Sequence, residues 1–157
     1  MASFRMALSQ LAMLRVPGVR NNYDLDELPY SLQRAQLPAL VVLPIELERE
    51  RLFQQREDSL QTATFSGAAK TVNYRLTHLL LVAPTEAGLG IRSHLPRLIE
   101  LIDNYTAAIA ADVTLGDALL APARVSVEPG NYAYGDREFY GCAFRHGWLL
   151  EAQEEVP

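Results

Sequence analysis

ARVSVEPGNYAYGDREFYGCAFRHGWLL, residues Ala123–Leu150, decides the fold of this 157-residue chain. Its flanks are rich in β-branched and aromatic residues, which suit strands. Its middle, PGNYAYGD, concentrates turn chemistry in Pro129-Gly130, Asn131 and Gly135-Asp136. The segment therefore reads as two strands, Ala123–Glu128 and Arg137–Leu150, joined through that turn-rich middle. On the second strand Tyr140, Cys142, Phe144, His146 and Trp148 share one face, which is either sheet core or interface. Gly141, Arg145 and Gly147 take the other, where backbone can be approached closely.

Working back from this hairpin, Leu95, Leu98, Ile99, Ile102, Tyr105 and Ile109 recur at helical spacing and predict one apolar stripe. Ser93 suits the N-cap, Pro96 the first turn, and the helix should stop near Ala111 or Asp112. Gly116 suits the left-handed position at or just past the cap. Before the helix, KTVNYRLTHLLLV (Lys70–Val82) alternates: Val72, Tyr74, Leu76, His78, Leu80 and Val82 on one side, Thr71, Asn73, Arg75 and Thr77 on the other. That pattern predicts a strand covered on one side. TATFSG (Thr62–Gly67) is a candidate strand turning at Gly67-Ala68, and ALVVL (Ala39–Leu43), between prolines, reads as a buried strand.

The N-terminal region contributes a short amphipathic helix from Phe4 to about Arg15, closed by Pro17-Gly18. Residues 20–37 then read as a long irregular connection, packed by its own side chains or functional. Residues 44–61 carry dense mixed charge and predict an exposed loop or hairpin arm, and 151–157 an acidic tail. The fold class is α+β: a mostly antiparallel sheet packed by one principal helix plus an N-terminal helix, in a single domain whose folded core spans 4–150.

Composition narrows the function. A net charge of -5 without a Lys/Arg block argues against tight, autonomous nucleic-acid binding. A single cysteine excludes an intrachain disulfide and suits a reducing compartment. The first residues lack the continuous apolar core of a signal peptide, and no run suits a membrane span, so a soluble, cytoplasmically made protein is expected.

Candidate chemistry is sparse. His78 reads as a satisfied core histidine, His94 as solvated, and no pair of His or Cys has zinc-type spacing. Cys142 reads as a small buried hydrophobe. GLGIRSHLP precedes a helix but lacks a complete phosphate-loop pattern. The carboxylates of the 44–61 arm interleave with Arg49, Arg51 and Arg56 and read as a solvated face. Asp24, Asp26 and Glu27 would be the groups of a small carboxylate-dependent enzyme, should one exist. A monomeric adaptor is a further alternative.

The succession AADVTLG, ARVSVEPG, NYAYGD and REFYGCAFRHGWLLE resembles the small tail-terminator and tail-completion (minor tail) proteins of long-tailed bacteriophages and prophages. KTVNYRLTHLLLVAP is similar to that family's central strand, and VPGVRNNYDLDELP and LPALVVLP agree in order, so the likeness spans residues 4–150. It rests on element order and a loose motif. The resemblance implies a non-enzymatic virion protein without cofactor or metal, assembled in the host cytoplasm at the tail–head junction. It implies a hexameric ring that caps the tail tube, stops its polymerisation and meets the head-completion or connector protein. DNA would pass through the lumen without specific binding. The alternative in the same architecture is a head-completion or stopper (neck) protein. Arg49, Arg51, Arg56, Arg75 and Arg145 are the candidate intersubunit or tube contacts.

Overall fold

A helix layer on one face of a long twisted sheet organises the chain. The computed structural model describes residues 3–44, 61–65, 70–87 and 90–151. The interior of the charged arm with Arg49, Arg51 and Arg56, the turn expected at Gly67-Ala68 and the tail beyond Glu151 lie outside the described residues. The elements are α1 (Phe4–Ala12), β1 (Asn21–Tyr23), β2 (Ala39–Leu43), β3 (Gln61–Phe65), β4 (Lys70–Pro84), α2 (Gly90–Ala111), β5 (Arg124–Tyr134) and β6 (Arg137–Glu151). The sheet order is β1-β2-β4-β6-β5, with β3 pairing the first part of β4. Among the described residues only β1–β2 is parallel. The class is α+β.

The two longest strands, β4 and β6, pair along nearly their whole length and form the spine. Their alternation places Leu76, Leu80, Phe144, Trp148 and Leu150 under the helices, where they join Leu8, Leu11, Leu98, Leu101 and Tyr105 in the main core. The expectation that β4 is covered on one side holds only for its first part. From Leu76 onward both faces are closed, because Leu79 and Leu81 enter a second cluster with Leu32, Leu37, Val41 and Phe139. The chain between β1 and β2 lies over that opposite face and supplies the cover.

That connection is more ordered than its composition predicts. Residues 20–37, expected to be irregular, contain the three-residue β1 and two 3-10 turns, Leu25–Glu27 and Arg34–Gln36. β1 has the sequence Asn-Asn-Tyr, whose low β propensity gave no signal. It forms because β2 offers a parallel partner and because Asn22 has an internal task, described below. At the loop's far end the Tyr134 hydroxyl donates to the Pro29 carbonyl (2.5 Å) and the Arg137 guanidinium to the Leu32 carbonyl (3.3 Å).

α2 starts at Gly90, three residues before the expected cap at Ser93, so Pro96 lies inside the helix. It removes the bond that would reach the Arg92 carbonyl. The buried stripe is also shifted. Leu98, Leu101, Tyr105 and Ile109 face the sheet, whereas Leu95 and Ile99 are 44% and 48% exposed on the flank. Leu101 takes the inward place that spacing alone assigned to Ile99. The helix ends at Ala111 as expected. The left-handed residues are three in a row, Leu115, Gly116 and Asp117. The Asp112 carboxylate accepts the Gly116 amide proton there (2.8 Å). Leu115 tolerates this backbone state because its side chain is fully buried in the core.

The final hairpin corrects the expected boundaries. β5 runs straight through Pro129, Gly130 and Asn131 to Tyr134, and the turn is Gly135-Asp136 alone. Gly135, at φ +63°, takes the first position of this two-residue turn, where positive φ favours glycine. Pro129 is acceptable mid-strand because β5 is the sheet's edge. Gly141 answers the expectation of close approach, though the approaching backbone is β4 itself. A Cβ there would lie 1.9 Å from the Leu80 carbonyl oxygen.

Candidate functional site

Two features of this scaffold carry polar chemistry: a sealed hydrogen-bond chain under the helices, and an open stretch of sheet on the other side.

The sealed chain starts at Trp148 on β6. Its indole Nε1 can only donate, and it donates to His146 Nδ1 (3.1 Å). The neutral His146 ring therefore holds its proton on Nε2 and gives it to the Tyr105 hydroxyl oxygen (2.7 Å). Tyr105 then donates its own proton to His78 Nδ1 (2.8 Å). That leaves the His78 proton on Nε2, donated to Asn22 Oδ1 (2.9 Å). The Asn22 amide nitrogen finally donates to the Leu11 and Leu14 carbonyls (3.1 Å each), at the end of α1. Leu11 is in the last turn of α1 and Leu14 just beyond it, so the Asn22 amide ties β1 to the helix exit. Every proton has one place, so both tautomers and the amide orientation follow from the donor-only indole.

The chain crosses β6, α2, β4, β1 and α1, and Tyr105 also stacks on Phe144 at 3.6 Å between ring centroids. His78 is fully buried, and His146, Tyr105 and Trp148 nearly so. Burial lowers the His78 pKa well below the usual histidine value, with the neighbouring His146 adding to the effect. Burial brings His146 down to about 3 and raises Tyr105 well above the usual phenol value. All three are neutral at pH 7, as the directed chain requires. The reading of His78 as a satisfied core residue stands. His146 belongs to the sheet core, which settles the choice between core and interface. Burial also pushes the Cys142 thiol up to about 12, leaving it a protonated, packed side chain. His94 departs from the solvated expectation: it is partly buried, stacks on Tyr140 at 5.4 Å, and its Nε2 has no hydrogen-bond partner among the described residues.

Two of the three loop carboxylates, Asp24 and Asp26, are spent on structure. Asp24 accepts from the Leu25 amide (2.6 Å) and the Ser9 hydroxyl (2.8 Å), and Asp26 pairs with Arg5. These contacts fasten the loop to α1. Among the described residues no His, Cys, Asp or Glu cluster is placed to hold a metal ion, and no helix is long and apolar enough to cross a membrane.

The open stretch lies on the face away from the helices, beyond the region that the β1–β2 connection covers. Three strands contribute rows of aligned residues: Thr77, Arg145 and Ser126, of which Thr77 is buried and bonded to Arg145, then Arg75, Gly147 and Arg124. Arg145 is held inside the chain, its guanidinium donating to Glu128 (2.6 Å) and to the Thr77 hydroxyl (2.9 Å). Arg75 and Arg124 are exposed on either side of Gly147. A Cβ on Gly147 would meet only the Arg124 Cβ, at 3.9 Å, so the space above it is open. Of the five arginines expected at contacts, the structure thus brings Arg75 and Arg145 to one face. Arg124 was missed. The available signal was the turn: pairing about Gly135-Asp136 sets Arg124 opposite Gly147.

Compared with protein-family models and with curated proteins, the chain shows no match.

Proposed function

We propose that the chain is a tail-terminator subunit of a long-tailed bacteriophage or prophage. It forms a ring on the end of the tail tube, stops tube polymerisation and provides the surface that joins the head. The observation that carries the reading is the position of the last hairpin. After α2, β5 and β6 return to complete the sheet beside β4, in the element order that the sequence resemblance implied. Three further features support a building block over a catalyst. His78 and His146 are sealed in a directed chain, Asp24 and Asp26 cap and pair locally, and the open polar surface is a sheet face. A ring subunit needs two different patches that meet head to tail, and a body with helices on one side and a partly open sheet face on the other offers them. In this reading the partners are further copies of the chain, the tail tube protein and the head-completion or connector protein. DNA crosses the lumen without specific binding, and the site of action is the tail–head junction of the virion.

The test is stoichiometry on isolated tail tubes. Native mass measurement of capped tubes should give six copies per tube end. Loss of the gene should give tails of irregular length. Full heads that leak DNA, with tails of normal length, would assign the chain to the stopper layer instead. A protein that stays monomeric in the presence of tubes would refute both.

A further inference from the structure

We infer that helix α2 pairs antiparallel with α2 of a second copy of this chain, through a stripe of Arg92, Leu95, Pro96, Ile99 and Asp103. The contact is isologous and goes beyond the ring reading, on which it does not rest.

The stripe follows from the helical repeat. With Leu98 and Tyr105 facing the sheet, a step of about 100° per residue sets Arg92, Ile99 and Asp103 within about 40° of one another. They lie about a third of a turn round from the inward row, with Leu95 and Pro96 on either side of them. All five are exposed, and Leu95 and Ile99 are the apolar pair that missed the core, at 44% and 48%. Side chains four apart are neighbours on a helix surface, so these two and Pro96 form one patch.

No described element covers this flank. The other flank of α2 faces the chain after α1, where Asn104 donates to the Pro17 carbonyl (2.8 Å) and Leu101 lies against Gly18. On the stripe's side the sheet runs on to its edge without a helix above it. Val127 of β5, opposite Phe144, is 42% exposed there.

Charge decides the occupant. Arg92 and Asp103 end the stripe, about 16 Å apart along the helix axis. Neither side chain takes part in an ion pair or hydrogen bond among the described residues. Their own helix cannot pair them. Arg92 has Leu95 and Pro96 at i+3 and i+4, and Asp103 is ringed by Ile99, Glu100, Thr106 and Ala107. Arg92 also stands in the first turn of α2, where the helix dipole disfavours a cation. A second α2, laid antiparallel about the middle of the stripe, brings Arg92 of each copy to Asp103 of the other and Leu95 to Ile99. A parallel pair would set like charge against like. An order of cation, apolar patch and anion is therefore complementary to itself about a two-fold axis. The stripe is short, so the dimer is weak and reversible.

Charge reversal tests this directly. Sedimentation velocity of the full chain should show a monomer–dimer equilibrium that weakens as salt rises. Arg92→Asp should weaken it at least tenfold, because each end of the contact then holds two carboxylates, and Asp103→Arg should do the same. Arg92→Asp adds an acid to the first turn of α2, which favours the helix, so its loss of pairing is not loss of fold. An unchanged circular dichroism spectrum verifies this for every variant. Ile99→Glu should abolish the dimer. Recombination tests the geometry. The Arg92→Asp, Asp103→Arg double variant should dimerise again, and the two single variants, mixed, should form a heterodimer. A wild-type chain that stays monomeric up to about 1 mM overturns the inference and leaves the stripe to a different protein. Single reversals without effect overturn it, as do a double variant and a mixture that stay monomeric. The ring reading stands or falls separately, on tube capping.

Discussion

Replacing Tyr105 by Phe deletes one oxygen from the middle of the buried hydrogen-bond chain and almost nothing else. The ring can keep its stack on Phe144 at 3.6 Å, so packing is retained. What is lost is the acceptor for His146 Nε2–H at 2.7 Å and the donor to His78 Nδ1 at 2.8 Å. Both histidine nitrogens are sealed from water, so neither recovers a partner. An unsatisfied buried polar group costs about 1–3 kcal/mol, and the pair together about 2–6 kcal/mol. Against a domain stability of about 5–15 kcal/mol this is a large fraction. With a urea dependence of about 2 kcal/mol per molar, the unfolding midpoint at pH 7.5 should fall by about 1–3 M. The assay is equilibrium urea unfolding followed by tryptophan fluorescence, since Trp148 ends the chain. A midpoint within about 0.2 M of wild type would refute the reasoning, because the hydroxyl would then have no partners to lose.

The same chain should make the fold acid-labile. Both histidines have folded pKa values below that of the unfolded chain, so the unfolded state takes up protons first as pH falls below about 6.5. Stability is full above that pH and should fall by up to about 3 kcal/mol per pH unit for the two groups, continuing toward pH 3 for His146; urea midpoints at pH 7.5, 6.5 and 5.5 measure it. Asn22→Ala removes the last link and the cap on the Leu11 and Leu14 carbonyls, and should cost about 1–3 kcal/mol, with hydrogen exchange accelerated first at the end of α1. Gly141→Ala should cost at least about 3 kcal/mol in a thermal melt, since its Cβ meets the Leu80 carbonyl, whereas Gly147→Ala, with only a 3.9 Å neighbour, should change stability by less than about 1 kcal/mol.

The parts of the fold legible in the sequence were those with a local period. Alternation in Lys70–Val82 and Arg137–Leu150 marked the two spine strands, and the prolines around Ala39–Leu43 marked the buried one. Errors came where a tertiary neighbour outweighed the local signal. Asn21–Tyr23 is a strand because β2 is beside it. Residues 129–131 read as a turn from composition, yet they continue β5 because β6 pairs them one for one through Gly130 and Gly141. Leu95 and Ile99 share a helical period with the buried stripe but sit on its flank, a difference set by the position of the sheet. The candidate face was half legible. Alternation placed Arg75 and Arg145 opposite the aromatic side, but Arg124 needed the true turn before its register could be counted. The directed chain was not legible at all, since its members come from five elements and Asn22 meets His78 across 56 positions.

That chain gives the open face its definition. A core made only of Leu, Val and Phe tolerates small slides, because hydrophobic contact is not directional. A donor-only indole at one end and two backbone carbonyls at the other fix the direction of every bond between them. A slip of β6 by one residue would carry His146 and Trp148 to the far face and break the chain at its first two links. The same slip would move Gly147 out of line with Arg75 and Arg124. The side of the sheet that meets solvent is therefore held in register by polar groups on the side that does not. In the ring proposed above such an arrangement would matter, because a register error in one copy would displace its contact with the next.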